Sequence, residues 1–136
     1  MFQEGLNVAL DMGEKWIIQQ SLVNLGFSKF ALRKVTEAQD CFLRSLHLAL
    51  EANLTPPILD SLAGIAWIHA EQGKKESALE LAMLVEKHPA VTQETKGRAI
   101  QLRGELEAQF TPSQIETIQA RAREKTFDAI VEDLLN

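Results

Sequence analysis

Two stretches of the chain follow one pattern: residues 18–42 are IQQSLVNLGFSKFALRKVTEAQDCF, and residues 58–82 are ILDSLAGIAWIHAEQGKKESALELA. The two align at a constant offset of forty residues. Apolar or small residues occupy the matched positions, which are Ile18, Ser21, Leu22, Leu25, Gly26, Ala38 and Phe42 in the first copy and Ile58, Ser61, Leu62, Ile65, Ala66, Ala78 and Ala82 in the second. Self-similarity at a fixed period of this size is typical of solenoids. The pattern therefore predicts one helical hairpin, repeated.

The same offset extends to the first residues of the chain. Positions with the same residue in both places are Phe2, Leu6, Ala9 and Leu10, which match Phe42, Leu46, Ala49 and Leu50. Residues 1–13 are therefore predicted to be the second helix of a truncated repeat, ended by Gly13. Because its partner helix is absent, this open N-terminal helix should expose Leu6 and Leu10. We expect a homodimer to form through it.

Capping and breaking residues divide the rest of the chain into a repeat over residues 15–53, a repeat over residues 55–90, and terminal helices with a cap over residues 91–136. Ile18, Leu22, Leu25 and Gly26 are predicted to face inward from the first helix, 15–31. Thr55 is expected to cap the second repeat and Pro89 to end it. Thr111 and Gln114 have the spacing of a capping box. A short amphipathic helix from Phe127 to Leu135 should close the array.

Composition indicates one helix-rich globular domain. Of 136 residues, 46% are hydrophobic and 24% charged. No apolar run approaches the ~18 residues that a membrane span requires, and the N-terminus lacks a leader pattern, so we expect a cytoplasmic protein with no membrane contact. The net charge of −5 argues against direct nucleic-acid binding.

The matched residues resemble the tetratricopeptide repeat (TPR). Its pattern of a large apolar residue, leucine, a small residue, and then alanine and an aromatic is filled by Leu22, Leu25, Gly26, Ala38 and Phe42. The resemblance implies an all-α fold of about eight helices, with antiparallel helical hairpins stacked as a right-handed superhelix of period forty and a non-repeat helical cap. The sequence departs from the family in its longer period and in Lys29 and His69, where the family usually has tyrosine.

The lengthened repeats and the tail also resemble the C-terminal sensor regions of large bacterial LuxR-type, MalT-like transcriptional regulators. In such proteins a DNA-binding segment and a switch ATPase precede an array of repeats. This resemblance implies that the chain is the last part of a longer regulator.

No pattern for catalysis, metal or cofactor binding is present. His47, His69 and His88 are isolated, and no Cys or His lies at metal-ligand spacing from them. Cys41 matches Leu81 and is predicted to be a small core residue. We therefore expect a protein that is not an enzyme and needs no cofactor.

The repeat pattern assigns a binding surface to the first helices of the hairpins, which line the concave face of a TPR array. The candidate partner-binding residues are Gln20, Val23, Phe27, Phe30, Asp60, Ala63, Trp67 and Glu71. Phe27 and Trp67 hold the same repeat position. Two interpretations remain open: these aromatics line one groove, or they pack between neighbouring hairpins.

Two functional hypotheses follow. In the first, the chain is a regulatory module that binds a protein or peptide in its concave groove. In the second, it is a structural spacer or self-association module with no groove ligand.

Overall fold

The computed structural model describes the backbone of residues 2–135 and the side chains of residues 13–135. Within that range the elements are α1 (Phe2–Ala31), α2 (Val35–Ala52), α3 (Thr55–Glu71), α4 (Lys75–Lys87), α5 (Gln93–Glu107), α6 (Pro112–Glu124) and α7 (Phe127–Leu135). The described residues contain no strand, so the all-α prediction is confirmed. None of these helices combines the length and apolar character needed to cross a membrane.

The helices pack in chain order. Each helix from α1 to α4 packs against the next, and α4 also packs against α6. In addition α1 contacts α3, and α3 contacts α5. These three helices therefore form a continuous surface, which we call the first-helix wall.

The turns that close the first two hairpins have the same conformation at positions forty residues apart. Arg33 and Gly73 both take left-handed conformations, with φ of 63° and 82°. The next residue in each turn donates its backbone N–H back into the preceding helix: Lys34 bonds the Lys29 carbonyl at 2.9 Å, and Lys74 bonds the His69 carbonyl at 2.8 Å. The left-handed conformation explains the glycine in the second turn. The helix α3 itself ends at Glu71, two residues before this glycine.

Phe42 is at the centre of the core. Its side chain is fully buried, and its ring lies against the backbone of α1 and of α3. A Cβ placed on Gly26 would be 2.7 Å from Phe42 Cε1, and one placed on Gly64 would be 2.6 Å from Phe42 Cζ. Both distances are shorter than van der Waals contact, so glycine at these two positions makes room for the ring.

Several helix boundaries are confirmed, and two predictions are wrong. The capping box is present, with the Gln114 backbone N–H donating to Thr111 Oγ1 at 3.1 Å and the Thr111 N–H donating to Gln114 Oε1 at 2.9 Å. Gly13 does not end a helix, because α1 continues through it. Gly13 does not have the positive φ of a helix-ending glycine. Thr55 is the first residue of α3 rather than its cap, which is Leu54.

The continuous α1 replaces the two separate helices of the prediction and reduces the expected eight helices to seven over residues 2–135. The predicted exposure of Leu6 and Leu10 lies outside the described side chains. The inward stripe predicted for the first helix is also wrong in part. Gly26 is buried, but Ile18 is 50% and Leu25 is 46% exposed. Gln19 and Val23 are buried in their place.

Candidate binding surface

The predicted binding residues are distributed between the surface and the core of the first-helix wall. Val23 and Ala63 are each 2% exposed and belong to the core. Gln20, Phe27, Phe30, Asp60 and Trp67 are half-buried, and Glu71 is exposed. Val23 and Ala63 are therefore largely closed to a partner, whereas the six partly accessible side chains can take part in binding.

Phe27 and Trp67 do not form a pair with each other. The Phe27 ring packs edge-on against Phe42, with centroids 4.9 Å apart. Trp67 instead meets Phe30, also edge-on, with centroids 6.1 Å apart. The first-helix wall thus has a surface aromatic pair made of Phe30 and Trp67, while Phe27 connects the wall to the core.

An arginine from α5 covers the outer face of Phe27. The Arg98 guanidinium carbon lies 3.9 Å from the centre of the Phe27 ring, within the range of a cation–π interaction. Arg98 also forms an ion pair with Glu94 one turn earlier, at 3.1 Å. The wall thus already contains one guanidinium held between an aromatic ring and a carboxylate.

A network of polar side chains joins the three wall helices at one end. Asp60 of α3 accepts a hydrogen bond from Gln20 Nε2 of α1 at 3.0 Å and a short one from the Thr95 hydroxyl of α5. Gln19, which is 2% exposed, donates to the Pro57 carbonyl at 3.1 Å. Buried polar groups that are all hydrogen-bonded fix one arrangement of their neighbours. This network therefore sets the relative position of the helices that carry the surface.

Beside this network is a cavity of about 300 Å³, the polar cavity, lined by Trp16, Gln20, Val23, Asn24, Pro56, Asp60, Thr92, Glu94, Thr95 and Arg98. Its Arg98 guanidinium is paired with Glu94, and its Asp60 carboxylate accepts hydrogen bonds from Gln20 and Thr95. The polar cavity therefore offers a partner few unsatisfied charges.

Further along the wall is a second cavity of about 170 Å³, the aromatic cavity, lined by Phe30, Trp67, Ala70, Glu71, Lys75, Leu102, Glu105, Leu106 and Gln109. Among the side chains that the structure describes, those of Glu71 and Glu105 have no ion-pair or hydrogen-bond partner. Trp67 Nε1 is buried without an acceptor, so packing alone holds the indole. The aromatic cavity thus combines two aromatic rings with two unpaired carboxylates and one lysine.

A third cavity, of about 320 Å³, lies away from the predicted residues, where α3 and α4 meet the C-terminal helices. His69 Nδ1 lies 2.9 Å from the Ser77 hydroxyl on its rim. Burial, and next the positive charge of Lys74, lower the pKa of His69, so the ring is neutral at pH 7. Glu80 in this cavity forms an ion pair with Lys125 at 2.9 Å, although the geometry is not that of a hydrogen bond. Its polar groups are therefore largely paired within the chain.

The contribution of α5 is the part of the surface that the sequence analysis missed. Arg98, Leu102 and Glu105 all line the wall, but only Leu102 keeps the forty-residue register, in which it matches Leu62 and Leu22. One signal was available: Ala99, Leu102 and Leu106 have the spacing of an inward-facing stripe, which predicts that residues 92–109 are the first helix of a further hairpin and lie beside α3.

Within residues 13–135, no three His, Cys, Asp or Glu side chains are placed to hold a metal ion. A scan against protein-family models, a search of curated proteins and a search of solved structures each found no match.

Proposed function

We propose that this chain is a non-enzymatic interaction module whose first-helix wall is the concave groove of a TPR-like array, and that the groove binds a protein or peptide through a basic side chain. The forty-residue repeat of the sequence and the equivalent turns at Arg33 and Gly73 support the array. The chemistry of the aromatic cavity supports the class of partner.

The main support for a basic partner is the internal Phe27, Arg98 and Glu94 cluster. There, one aromatic ring and one carboxylate hold a guanidinium. The aromatic cavity has the same two kinds of group, in Phe30 and Trp67 and in Glu71 and Glu105, but no guanidinium; with Lys75 also in its lining, two carboxylates against one ammonium leave it a net negative charge. Cation–π attraction and ion pairing there would favour an arginine or lysine of a partner.

Selection of peptides from a random displayed library on the immobilised protein tests this proposal. We expect selected sequences to share arginine or lysine, and we expect Glu71→Gln with Glu105→Gln to reduce their capture at least about tenfold. The control is Glu116→Gln with Glu132→Gln, which changes the net charge equally at two exposed positions on α6 and α7. The proposal of a basic partner would be refuted if both double variants weaken capture equally. It would also be refuted if the selected peptides lack basic residues. A selection that enriches nothing would refute groove binding itself.

In the setting that the regulator resemblance implies, the module would be the C-terminal sensor or scaffold part of a cytoplasmic bacterial transcription regulator. Partner binding in the groove would then be the signal passed to the preceding domains. The test compares the full-length protein with its Phe30→Ala, Trp67→Ala variant. If both bind the partner equally well, the groove does not have this role.

One observation favours the second functional candidate, a structural module that self-associates. Four large apolar side chains at or near the outer face of α1 are exposed: Ile17, Ile18, Leu25 and Leu32. This surface is distinct from the groove, so self-association is compatible with a groove ligand, whereas the second candidate in full requires that the groove binds nothing.

A further inference from the structure

The outer side of α1 carries a line of exposed apolar side chains at seven-residue spacing. Ile18 is 50% exposed, Leu25 is 46% exposed, and Leu32, in the turn just after the helix, is 66% exposed. The Leu32 backbone N–H still bonds the Ser28 carbonyl at 3.2 Å, so the chain keeps its helical path to this residue. Seven residues make almost two full helical turns, which places the three side chains along one line. We call this line the α1 stripe.

The equivalent positions of the second hairpin show what kind of element fits such a stripe. Ile58 and Ile65, forty residues after Ile18 and Leu25, are 5% and 3% exposed. They belong to α3, which the preceding helix α2 packs against. Within the described residues, no helix takes the corresponding place on α1. The α1 stripe therefore has the composition of a surface made to receive a helix.

We propose that α1 of a second copy of this chain covers the stripe, in an antiparallel arrangement with a two-fold axis at Leu25. The stripe is symmetric about Leu25, so antiparallel pairing sets Ile18 against Leu32 of the second copy and Leu25 against Leu25. Such an isologous contact closes after two copies. The serines between the apolar positions, Ser21 and Ser28, are small enough for the two helices to approach closely.

The charges at the two ends of the stripe favour the antiparallel direction. Glu14 and Lys15 are near one end, and Arg33 and Lys34 follow the other. A parallel pair sets Arg33 and Lys34 of both copies together, whereas an antiparallel pair separates the two basic ends and brings each of them near Glu14 of the other copy. Because one helix from each copy makes an interface at the small end of the range, below about 1,200 Å², we expect a dissociation constant on the order of 100 μM.

Disulfide trapping tests the pairing directly. Under mild oxidation, Leu25→Cys should give a covalent dimer, because a residue on the two-fold axis faces its own copy. The control is Gly104→Cys, at an exposed position on α5, and Ile18→Cys alone should give no more covalent dimer than this control. An equal mixture of Ile18→Cys and Leu32→Cys proteins should crosslink, because the pairing sets these two positions against each other. The native Cys41 does not interfere, because burial raises the pKa of its thiol. Efficient crosslinking of Ile18→Cys alone would refute the antiparallel direction, and no crosslinking above the control would refute the interface.

Sedimentation equilibrium gives a second measurement that needs no cysteine. Leu25→Glu should raise the dimer dissociation constant at least about tenfold, since it places two carboxylates against each other across the axis. Ile100→Glu is the matched control, because Ile100 is an apolar residue of α5 with a similar exposure of 41%. Unchanged association of Leu25→Glu, or equal loss in both variants, would overturn the proposal. Neither result would bear on peptide binding in the groove, since the two surfaces share no residue.

Discussion

Replacing Gly64 by alanine should destabilise the fold, although alanine is the better helix former. Gly64 lies in the interior of α3, where the ring of the fully buried Phe42 fills the space that a Cβ would need. The ring cannot move into solvent, and the backbones of α2 and α3 are fixed by their packing. Adding one carbon here therefore forces the ring off its rotamer or separates the helices.

The expected size of the effect follows from two opposing contributions. Overpacking of a filled core costs about 1–3 kcal/mol, and the close approach to three ring atoms places Gly64→Ala at the upper end of that range. The higher helix propensity of alanine raises the free energy of unfolding by about 1 kcal/mol and so offsets part of this loss. We expect a net loss of about 2 kcal/mol in the free energy of unfolding, which lowers the melting temperature by roughly 8 °C for a chain of this size.

Urea and thermal unfolding followed by circular dichroism measure this effect against a matched control. Gly104 is also inside a helix, but a Cβ there would meet nothing within 4 Å. Gly104→Ala should therefore stabilise the protein by about 1 kcal/mol. In the double variant Gly64→Ala with Phe42→Leu, the smaller leucine side chain leaves room for the added Cβ. The combined loss of stability should therefore be smaller than the sum of the two single losses by about 1 kcal/mol or more. If Gly64→Ala stabilises the protein as Gly104→Ala does, the packing described around Phe42 is wrong.

Three further perturbations test other parts of the structure. Asp60→Ala should cost about 1–3 kcal/mol in urea unfolding, because it leaves the Thr95 hydroxyl, on a residue 3% exposed, without its acceptor; an unchanged midpoint would contradict the polar network. Thr111→Ala should cost about 1 kcal/mol through loss of the α6 cap, whereas Thr117→Ala on the same helix should not. Because burial lowers the pKa of His69, the unfolded chain takes up a proton at a higher pH than the folded protein does. Stability should therefore fall as the pH drops below about 6.5, and less steeply in His69→Gln; identical pH profiles of the two proteins would exclude this residue as the cause.

The sequence predicted those parts of the fold that local signals control. The boundaries of α2 to α7 follow from prolines, caps and the 3.6-residue period of apolar positions, all of which act within a few residues. The capping box of Thr111 is an example, since both of its hydrogen bonds join residues three apart. The start of α2 and the end of α3 are likewise set by short turns.

The sequence did not predict features that depend on what another element places nearby. Gly13 can end a helix or continue one, and the residues around it do not decide between the two. Ile18 and Leu25 match buried positions of the second copy, but their burial requires a helix on the outer side of α1. The importance of Gly64 was not visible either, because it depends on the direction of the Phe42 ring from a different helix.

The candidate surface was predicted in outline and corrected in detail. The first helices do form one wall, and Phe30, Trp67 and Glu71 do line a cavity in it. Phe27 and Trp67, for which two interpretations were open, make separate contacts: Phe27 packs on Phe42 under Arg98, and Trp67 packs on Phe30. Drift of the repeat register in α5 prevented the Arg98 contact from being anticipated.

The measurement that tests the proposed function most directly is an NMR titration of the indole N–H of Trp67. The chain has two tryptophans, so Trp16→Phe leaves a single indole signal. We expect the blocked tripeptide Gly-Arg-Gly to shift this signal saturably, with a dissociation constant on the order of 1–10 mM for one side chain. The neutral citrulline analogue should leave it in place, and Glu71→Gln with Glu105→Gln should abolish the shift. An equal response to both tripeptides, or none to either, would contradict the proposal that this cavity binds a basic side chain.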